Sequence, residues 1–440
     1  MKATPGNGFA PWLPDDGPAA ATGLAWFDSR RAKARAQVRD QGIPTTKHEA
    51  WRYTSLTRLL EQGFTPTAEA TTPLQPRDLE PLLVPGLDAY RVVLVNGRFI
   101  PGLSDLQHLP AGVRVGGLAQ ILKSDPDALK DRLNGVVGES QPLFAALNTA
   151  GLDDGVVVLL ERGAQLERPI ELIHLSVGMD EPRVAQPRHI VVLEAGAQAS
   201  LIERYVSLGE ALYCTNSVLE LSLGRDAVLK HQRIQTESAN AFHIAGLYLS
   251  LGAGSRYQCV TVGLGAAWAR TDLNVRFAGE HAECDLQGLY LAGDRQLMDF
   301  HLDVDHRLPQ CSSRENFKGI LYGKGRAVFD GRVYVAKDAQ RTDAAMSNRN
   351  LLLSEGAEVD TKPQLEINAD DVKCSHGTTV GQIEPEQLFY LRSRGLSAPL
   401  ARRMLCLGFA GEILDCLTPD ALRDQVAEQV GSRLELAPID

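Results

Sequence analysis

Beyond Arg188 the chain runs in short apolar stretches broken by small turns. Ile190-Val191-Val192-Leu193, Leu219-Glu220-Leu221-Ser222, Leu247-Tyr248-Leu249-Ser250 and Val333-Tyr334-Val335 have the length and the alternation of β-strands. Glu194-Ala195-Gly196-Ala197, Leu223-Gly224-Arg225-Asp226, Leu251-Gly252-Ala253-Gly254 and Ala278-Gly279-Glu280-His281 punctuate them. The spacing of about 28 residues lies in the range of solenoid repeats, and Gly325, Gly356 and Ala369-Asp370 continue it less evenly. One layer of strands cannot bury its apolar face alone, so successive turns must stack. The pattern predicts a mainly β protein built as a β-solenoid, and a flat sandwich fits the same alternation.

The period changes at both ends of this array. Residues 20–41 read as a helix with Leu24, Phe27, Ala34 and Val38 on one stripe, stopped by Gly42 and Pro44. The Thr- and Pro-rich stretch 65–86 reads as a linker. A strand at 91–95 turns at Asn96-Gly97, the pair best able to take positive φ, and helical stretches follow near Leu118–Leu122 and Leu143–Leu147. From Pro385, Leu388, Leu391, Leu400, Met404, Leu407 and Leu414 recur at helical spacing, with Gly395 as C-cap and Ser397 as N-cap. A last helix is expected at Thr418-Pro419, with the proline at its first position, carrying Leu422, Val426 and Val430. The chain divides accordingly into a helical and mixed N-terminal region (1–150), the solenoid core (151–383) and a C-terminal helical domain (384–440).

Composition removes several classes of partner. The formal net charge is -10 and no basic run occurs, which argues against nucleic acid. The first eight residues lack the apolar core of a signal peptide, and the run Val156–Leu160 is too short to span a bilayer. The expectation is a soluble, cytoplasmic protein with no membrane partner. Hydrophobic residues make up 44% but aromatic ones only 6%, so the interior must be aliphatic and small, as narrow stacked layers require. Seven cysteines, at 214, 259, 284, 311, 374, 406 and 416, include no C-x-x-C pair, so neither a disulfide framework nor a self-contained cluster motif fits.

Chemistry concentrates near the end of the array, in KPQLEINADDVKCSHGTTVGQ (362–382). Cys374 and His376 stand two apart on a strand-like run and share a face. Thiolate and imidazole suit iron and zinc, but an iron-sulfur cluster takes about four ligands, mostly thiolate. The pair is half a site at most, and without further context it reads as packing or hydrogen bonding.

The context is a long stretch from Ser313 to Gly411: SRENFKGILYGKGRAVFDGRVYV, AQRTDAAMSNRNLLLSEGAEVDTKPQLEINADDVKCSHGTTVGQI and LFYLRSRGLSAPLARRMLCLGFAG. It resembles the SufB/SufD family of iron-sulfur cluster assembly scaffold proteins. Lys47-His48-Glu49 with Trp51-Arg52-Tyr53-Thr54, and LVNGRF at 94–99, extend the likeness toward the N-terminus. Lys373-Cys374-Ser375-His376-Gly377 is similar to the D-type pattern, where B-type subunits tend to carry Glu-His-Glu. In Gln340-Arg341-Thr342-Asp343, Thr342 stands where B-type chains place the cysteine thought to receive the nascent cluster.

This resemblance implies a right-handed parallel β-helix core flanked by an N-terminal α/β region and a C-terminal helical domain. It implies a non-catalytic scaffold of the SUF system, paired with a SufB-type paralogue and a SufC-type ABC ATPase. A transient iron-sulfur cluster is then expected at a shared subunit interface, with His376 and Cys374 as its metal residues in this chain, although the thiol has the apolar interior as an alternative. The resemblance also implies that the C-terminal helices dock the ATPase, with Leu391, Leu396 and Met404 as apolar contacts and Arg394 and Arg403, beside Arg392 and Arg402, as the polar rim. A homodimeric scaffold is a second possibility. An exported polysaccharide lyase or hydrolase on a β-solenoid is a third, weakened by the missing export signal.

Other motifs carry less. His301, Asp303 and Asp305 fall on one strand face, a row open to a hard cation or to a hydrated, hydrogen-bonded surface. His48 reads as a packing or capping residue. Gly323-Lys324-Gly325 lacks the spacing of a phosphate loop, and neither a nucleophile elbow nor an H-E-x-x-H pair is present.

Overall fold

The computed structural model describes residues 8–14, 22–67 and 74–436. Its centre is a β-solenoid of about eight turns, each contributing one strand to each of two sheets. The first turn is Gly155–Leu160 with Ile170–Val177, and the last is Glu358–Ile367 with Lys373–Gly381. All neighbouring strands within this stack run parallel and in register. One column passes without a slip from Cys214 through Phe242, Trp268, Leu297 and Arg326 to Glu358.

Register is held by the side chains it stacks. Leu221, Leu249, Val275, Val304 and Val333 form a single inward column across five turns, each at most 2% exposed. Full burial of such a side chain is worth about 1.5–3 kcal/mol, and a one-residue slip would turn the whole column outward. The faint repeat has a backbone cause. The bend between the two strands of successive turns needs one residue with positive φ, supplied by Gly196, Asp226, Gly254, His281, Gln310 and Arg341. Glycine, Asp and His tolerate that conformation best, so the rhythm of glycines is only part of the repeat.

The two ends of the stack differ. The hairpin Tyr90–Val95 and Arg98–Phe99, turning at Asn96-Gly97 as expected, adds to the first turn with Tyr90 opposite Ile170. Val113–Gly117 pairs antiparallel with Gly155–Leu160. Both sheets are therefore continued at this end. Helix Ala25–Gln41 buries Phe27, Ala34 and Val38 and packs with helix Leu143–Ala150; residues 20–21 of the expected helix lie outside the described residues. The stretch read as a linker is partly structured: Thr65–Pro66 pairs with Arg183–Val184, and helix Pro76–Leu79 starts in a capping box between Gln75 and Asp78. Its Leu79 and Val84 are buried, which a free linker could not manage.

At the other end, Lys373–Gly381 and Glu358–Ile367 are the outermost strands of their sheets. Helices Pro385–Ser393, Ala398–Leu414 and Asp420–Leu436 follow. The latter two lay Cys406, Ala410, Ile413, Leu422, Val426 and Val430 on the outer face of the second sheet, against Ile234, Val262, Leu289 and Ile320. Gly395, at φ 90°, ends the first of these helices. The last starts at Asp420, one residue later than expected, so Pro419 precedes it and its carbonyl accepts the Leu422 N–H (3.0 Å).

Candidate functional site

Cys374 and His376 sit on the final strand, in register with Ala344 and Met346 of the turn before. Those partners are buried inward residues, so the pair shares the inward face, as their spacing predicts. No later turn covers them, and the inward face therefore becomes an open rim. His376 is exposed and Cys374 half-buried, the thiol packed against the main core. Thr361 and Thr378 meet across the rim from opposite sheets (3.0 Å), and Ile367 and Val380 are 40% and 49% exposed there. Burial pushes the Cys374 thiol up, partly offset by the Ala344 backbone. It stays protonated at neutral pH, and any metal bound there would have to displace the proton.

One buried acid lies below this rim. Glu315 occupies the His376 column two turns further in, beyond Met346. It is 1% exposed, and neither carboxylate oxygen has a well-aligned hydrogen-bond partner among the described residues. The nearby Ser313 hydroxyl is engaged with His306 Nε2 (3.0 Å). Burial pushes the Glu315 carboxyl up to about 8, so it is mostly neutral at pH 7.

The second surface is helical. Pro385–Ser393 has no buried residue: Phe389 and Tyr390 are 74% and 57% exposed, and Leu400 and Met404 on the next helix continue the patch. Leu391 and Leu396 are half-buried beside it. Arg394 lies over the Tyr390 ring at 4.9 Å and donates to its hydroxyl (3.1 Å). Arg403 pairs with Glu435 of the last helix, so its charge is already engaged. The aromatic pair escaped sequence reasoning, which followed the leucine stripe instead.

The remaining candidates resolve into structural networks. His301, Asp303 and Asp305 do line one face, but Asp303 pairs with Arg332 (2.8 Å), Asp305 with Arg307 (2.7 Å) and His301 with Asp299 (2.9 Å). This is the hydrogen-bonded surface, not a cation site. His48 Nδ1 accepts the Thr45 N–H (3.0 Å), a capping role. A cluster not anticipated from sequence lies inside the early turns, where the donor atoms of His174, His189 and Glu203 fall within 4.8 Å of one another. Val156 N–H donates to His189 Nδ1 (3.2 Å), so the neutral ring keeps its proton on Nε2 and has no free lone pair. Glu203 already accepts from Tyr205 (2.6 Å) and Arg233 (2.6 Å). The cluster is a filled polar core rather than a metal centre.

A β-solenoid continued at one end and open at the other, with a thiol and an imidazole on the rim and an unburied aromatic helix beside it, is the framework of a scaffold protein rather than of an enzyme cleft. Comparison with known proteins agrees. Residues 175–409 match the family described as "SUF system FeS cluster assembly, SufBD core domain", and residues 20–172 match "SufBD protein N-terminal region". The chain is 36% identical over 400 residues to the iron-sulfur cluster assembly protein SufD of Escherichia coli (strain K12), covering 90% of this chain and 91% of that one. It is 35% identical over 399 residues to the SufBD family protein slr0076 of Synechocystis (89% and 87%), and 32% identical over 398 residues to the chloroplastic protein ABCI7 of Arabidopsis thaliana (88% and 82%). The chain belongs to the SufB/SufD family of iron-sulfur cluster assembly proteins, and within it to the SufD type. Among the described residues no helix is long and apolar enough to cross a membrane.

Proposed function

We propose that this chain is the D-type half of a cytoplasmic assembly scaffold, without turnover of its own, whose open rim pairs with a B-type paralogue. His376, with Cys374 beside it, then supplies part of the ligand set for a nascent iron-sulfur cluster held between the two chains. The cluster is cargo. Two ligands cannot hold it alone, and a shared interface supplies the rest. The carrying observation is the asymmetry of the stack: the N-terminal edge is continued by a hairpin and an antiparallel strand, while the edge bearing His376 is open. An open sheet edge invites pairing with another chain.

The helical patch is the dock for a SufC-type ABC ATPase, and ATP-driven closure of two such subunits shears the paired solenoids. Leu391, Leu396 and Met404 are its apolar contacts and Arg394 its rim, with Arg403 held in place by Glu435. In the proposed division, 1–150 closes the stack, 151–383 carries the site and 384–440 docks the ATPase.

Co-expression with a B-type chain and an ABC ATPase, followed by mass measurement, tests the pairing. A three-component complex is expected, whereas a homodimer without the ATPase would overturn this reading in favour of a self-paired scaffold. Within the complex, His376→Ala should lower cluster formation by about tenfold or more, since losing even a partner that supports a metal ligand costs about 10–100-fold, with the melting temperature unchanged. Wild-type cluster yield would remove His376 from the site. Alanine at both Phe389 and Met404 should abolish ATPase co-purification and leave the B-type chain bound. Retention of the ATPase would place its dock elsewhere.

A further inference from the structure

The dock and the rim are joined along the chain by the short link 382–384 between strand Lys373–Gly381 and helix Pro385–Ser393, and one side chain of the next helix ties the helical domain to the neighbouring strands. Glu412, near the end of helix Ala398–Leu414, reaches the outer face of the second sheet. Its Oε2 accepts from Lys318 Nζ (2.6 Å), and its Oε1 from Arg349 Nη2 (2.6 Å) and Asn316 Nδ2 (3.0 Å). Lys318 is 4% exposed on its side chain and also donates to the Phe409 carbonyl (2.8 Å). The charge-assisted contacts hold the Glu412 carboxyl down to about 2, so the grip is closed at any physiological pH.

The location gives this clamp its meaning. Asn316 and Lys318 flank Phe317 on the strand that also carries Glu315, and Arg349 stands opposite Thr379 on the strand that carries His376. The clamp therefore grips the outside of the wall whose inside presents the rim. Other polar ties of the C-terminal helices go to early turns: Thr418 to Gln232, and Gln425 to Arg204 (3.5 Å). Among the polar ties of the described residues, the helical domain is thus anchored in the early turns and gripped by the stretch Phe409–Glu412 close to the rim, which is the layout of a lever.

We infer that Glu412 is a positioning residue that passes movement of the ATPase-docking helices to strands Ser312–Leu321 and Asp343–Leu352, and through the latter to the neighbouring strand that bears His376. Resting on the proposed function, this inference names the contact through which that cycle reaches its site. Charged contacts on a half-exposed carboxylate contribute little to stability singly, but three on one side chain fix a helix against two strands.

The test uses Glu412→Gln in the complete three-component complex. Hydrogen exchange is followed in residues 343–352 and 373–381 with and without ATP, alongside cluster formation. In wild type, ATP is expected to change exchange in both the helix and these strands. In the variant the helix should still respond while the strands do not, and cluster formation should fall about tenfold, within the 5- to 150-fold range of site-to-site coupling, at unchanged ATP hydrolysis. Strands that respond fully in the variant, or wild-type cluster yield, would overturn the assignment to Glu412 alone. A wild-type complex with no response to ATP in helix or strands would overturn the ATP-driven reading itself, and this inference with it. Arg349→Gln should reproduce the variant's exchange pattern from the other side of the contact, guarding against a local folding defect at position 412.

Discussion

Glu220→Ala is expected to destabilise the fold by about 3–5 kcal/mol, the scale for breaking one partner out of a buried ion pair. Glu220 points outward from strand Tyr213–Leu223 but is covered by the segment 134–137, leaving it 1% exposed. Its Oε1 accepts from the Asn134 N–H (2.7 Å) and from Arg188 Nη2 (2.8 Å), and its Oε2 from the N–H groups of Val136 (2.9 Å) and Val137 (3.1 Å). Arg188, 0% exposed, also donates to Asn148 Oδ1 (3.1 Å). Alanine at 220 would strand a guanidinium in the interior and leave three backbone donors unpaired, each costing about 1–3 kcal/mol if they stay dry. A urea titration should show the midpoint falling with little change in slope. Adding Arg188→Ala should cost less than the sum of the two single changes, because the isolated charge is gone. A loss below 1 kcal/mol for Glu220→Ala would mean that water reaches the site and that the N-terminal segment is not held by this carboxylate.

That network also marks where sequence reasoning stops. Alternation identified the strand around Leu219-Glu220-Leu221, but it could not say that another segment covers the face on which Glu220 lies. The same holds inside the early turns, where Glu203, Arg233 and His174 occupy inward positions that the pattern reserves for apolar residues. Cys374 and His376 were legible because a two-residue offset on a strand leaves no choice of relative face. Their exposure was not, because it depends on there being no further turn beyond Gly381. In the C-terminal domain, helical spacing identified Leu391 and Met404, and the family resemblance added Leu396, but the most exposed large apolar residues are Phe389 and Tyr390, which neither reading named. Arg403 appeared free as a rim charge until the fold brought Glu435 beside it.

Glu315→Gln is expected to stabilise the protein, and by an amount that grows with pH. An ordinary glutamate loses its proton near pH 4.5, whereas Glu315 in the folded chain holds its proton up to about 8. Below pH 4.5 both states are protonated and the residue is neutral in the balance. Between 4.5 and 8 the unfolded chain binds fewer protons than the folded one, so stability falls as pH rises, and above 8 the loss is complete. At about 1.4 kcal/mol per pH unit, the penalty reaches about 3 kcal/mol by pH 7. Glutamine matches the shape of the neutral acid and carries no such penalty. The difference between the two unfolding free energies should therefore be small at pH 4.5 and open steadily to pH 8. Taking the difference removes the contributions of His301 and Asp154, whose shifted carboxyl and imidazole groups titrate alike in both proteins. A constant difference across that range would show that Glu315 ionises normally, through water or a counter-charge reaching it from the rim. If the proposed complex with a B-type chain forms, loss of the effect in it would place that counter-charge in the partner.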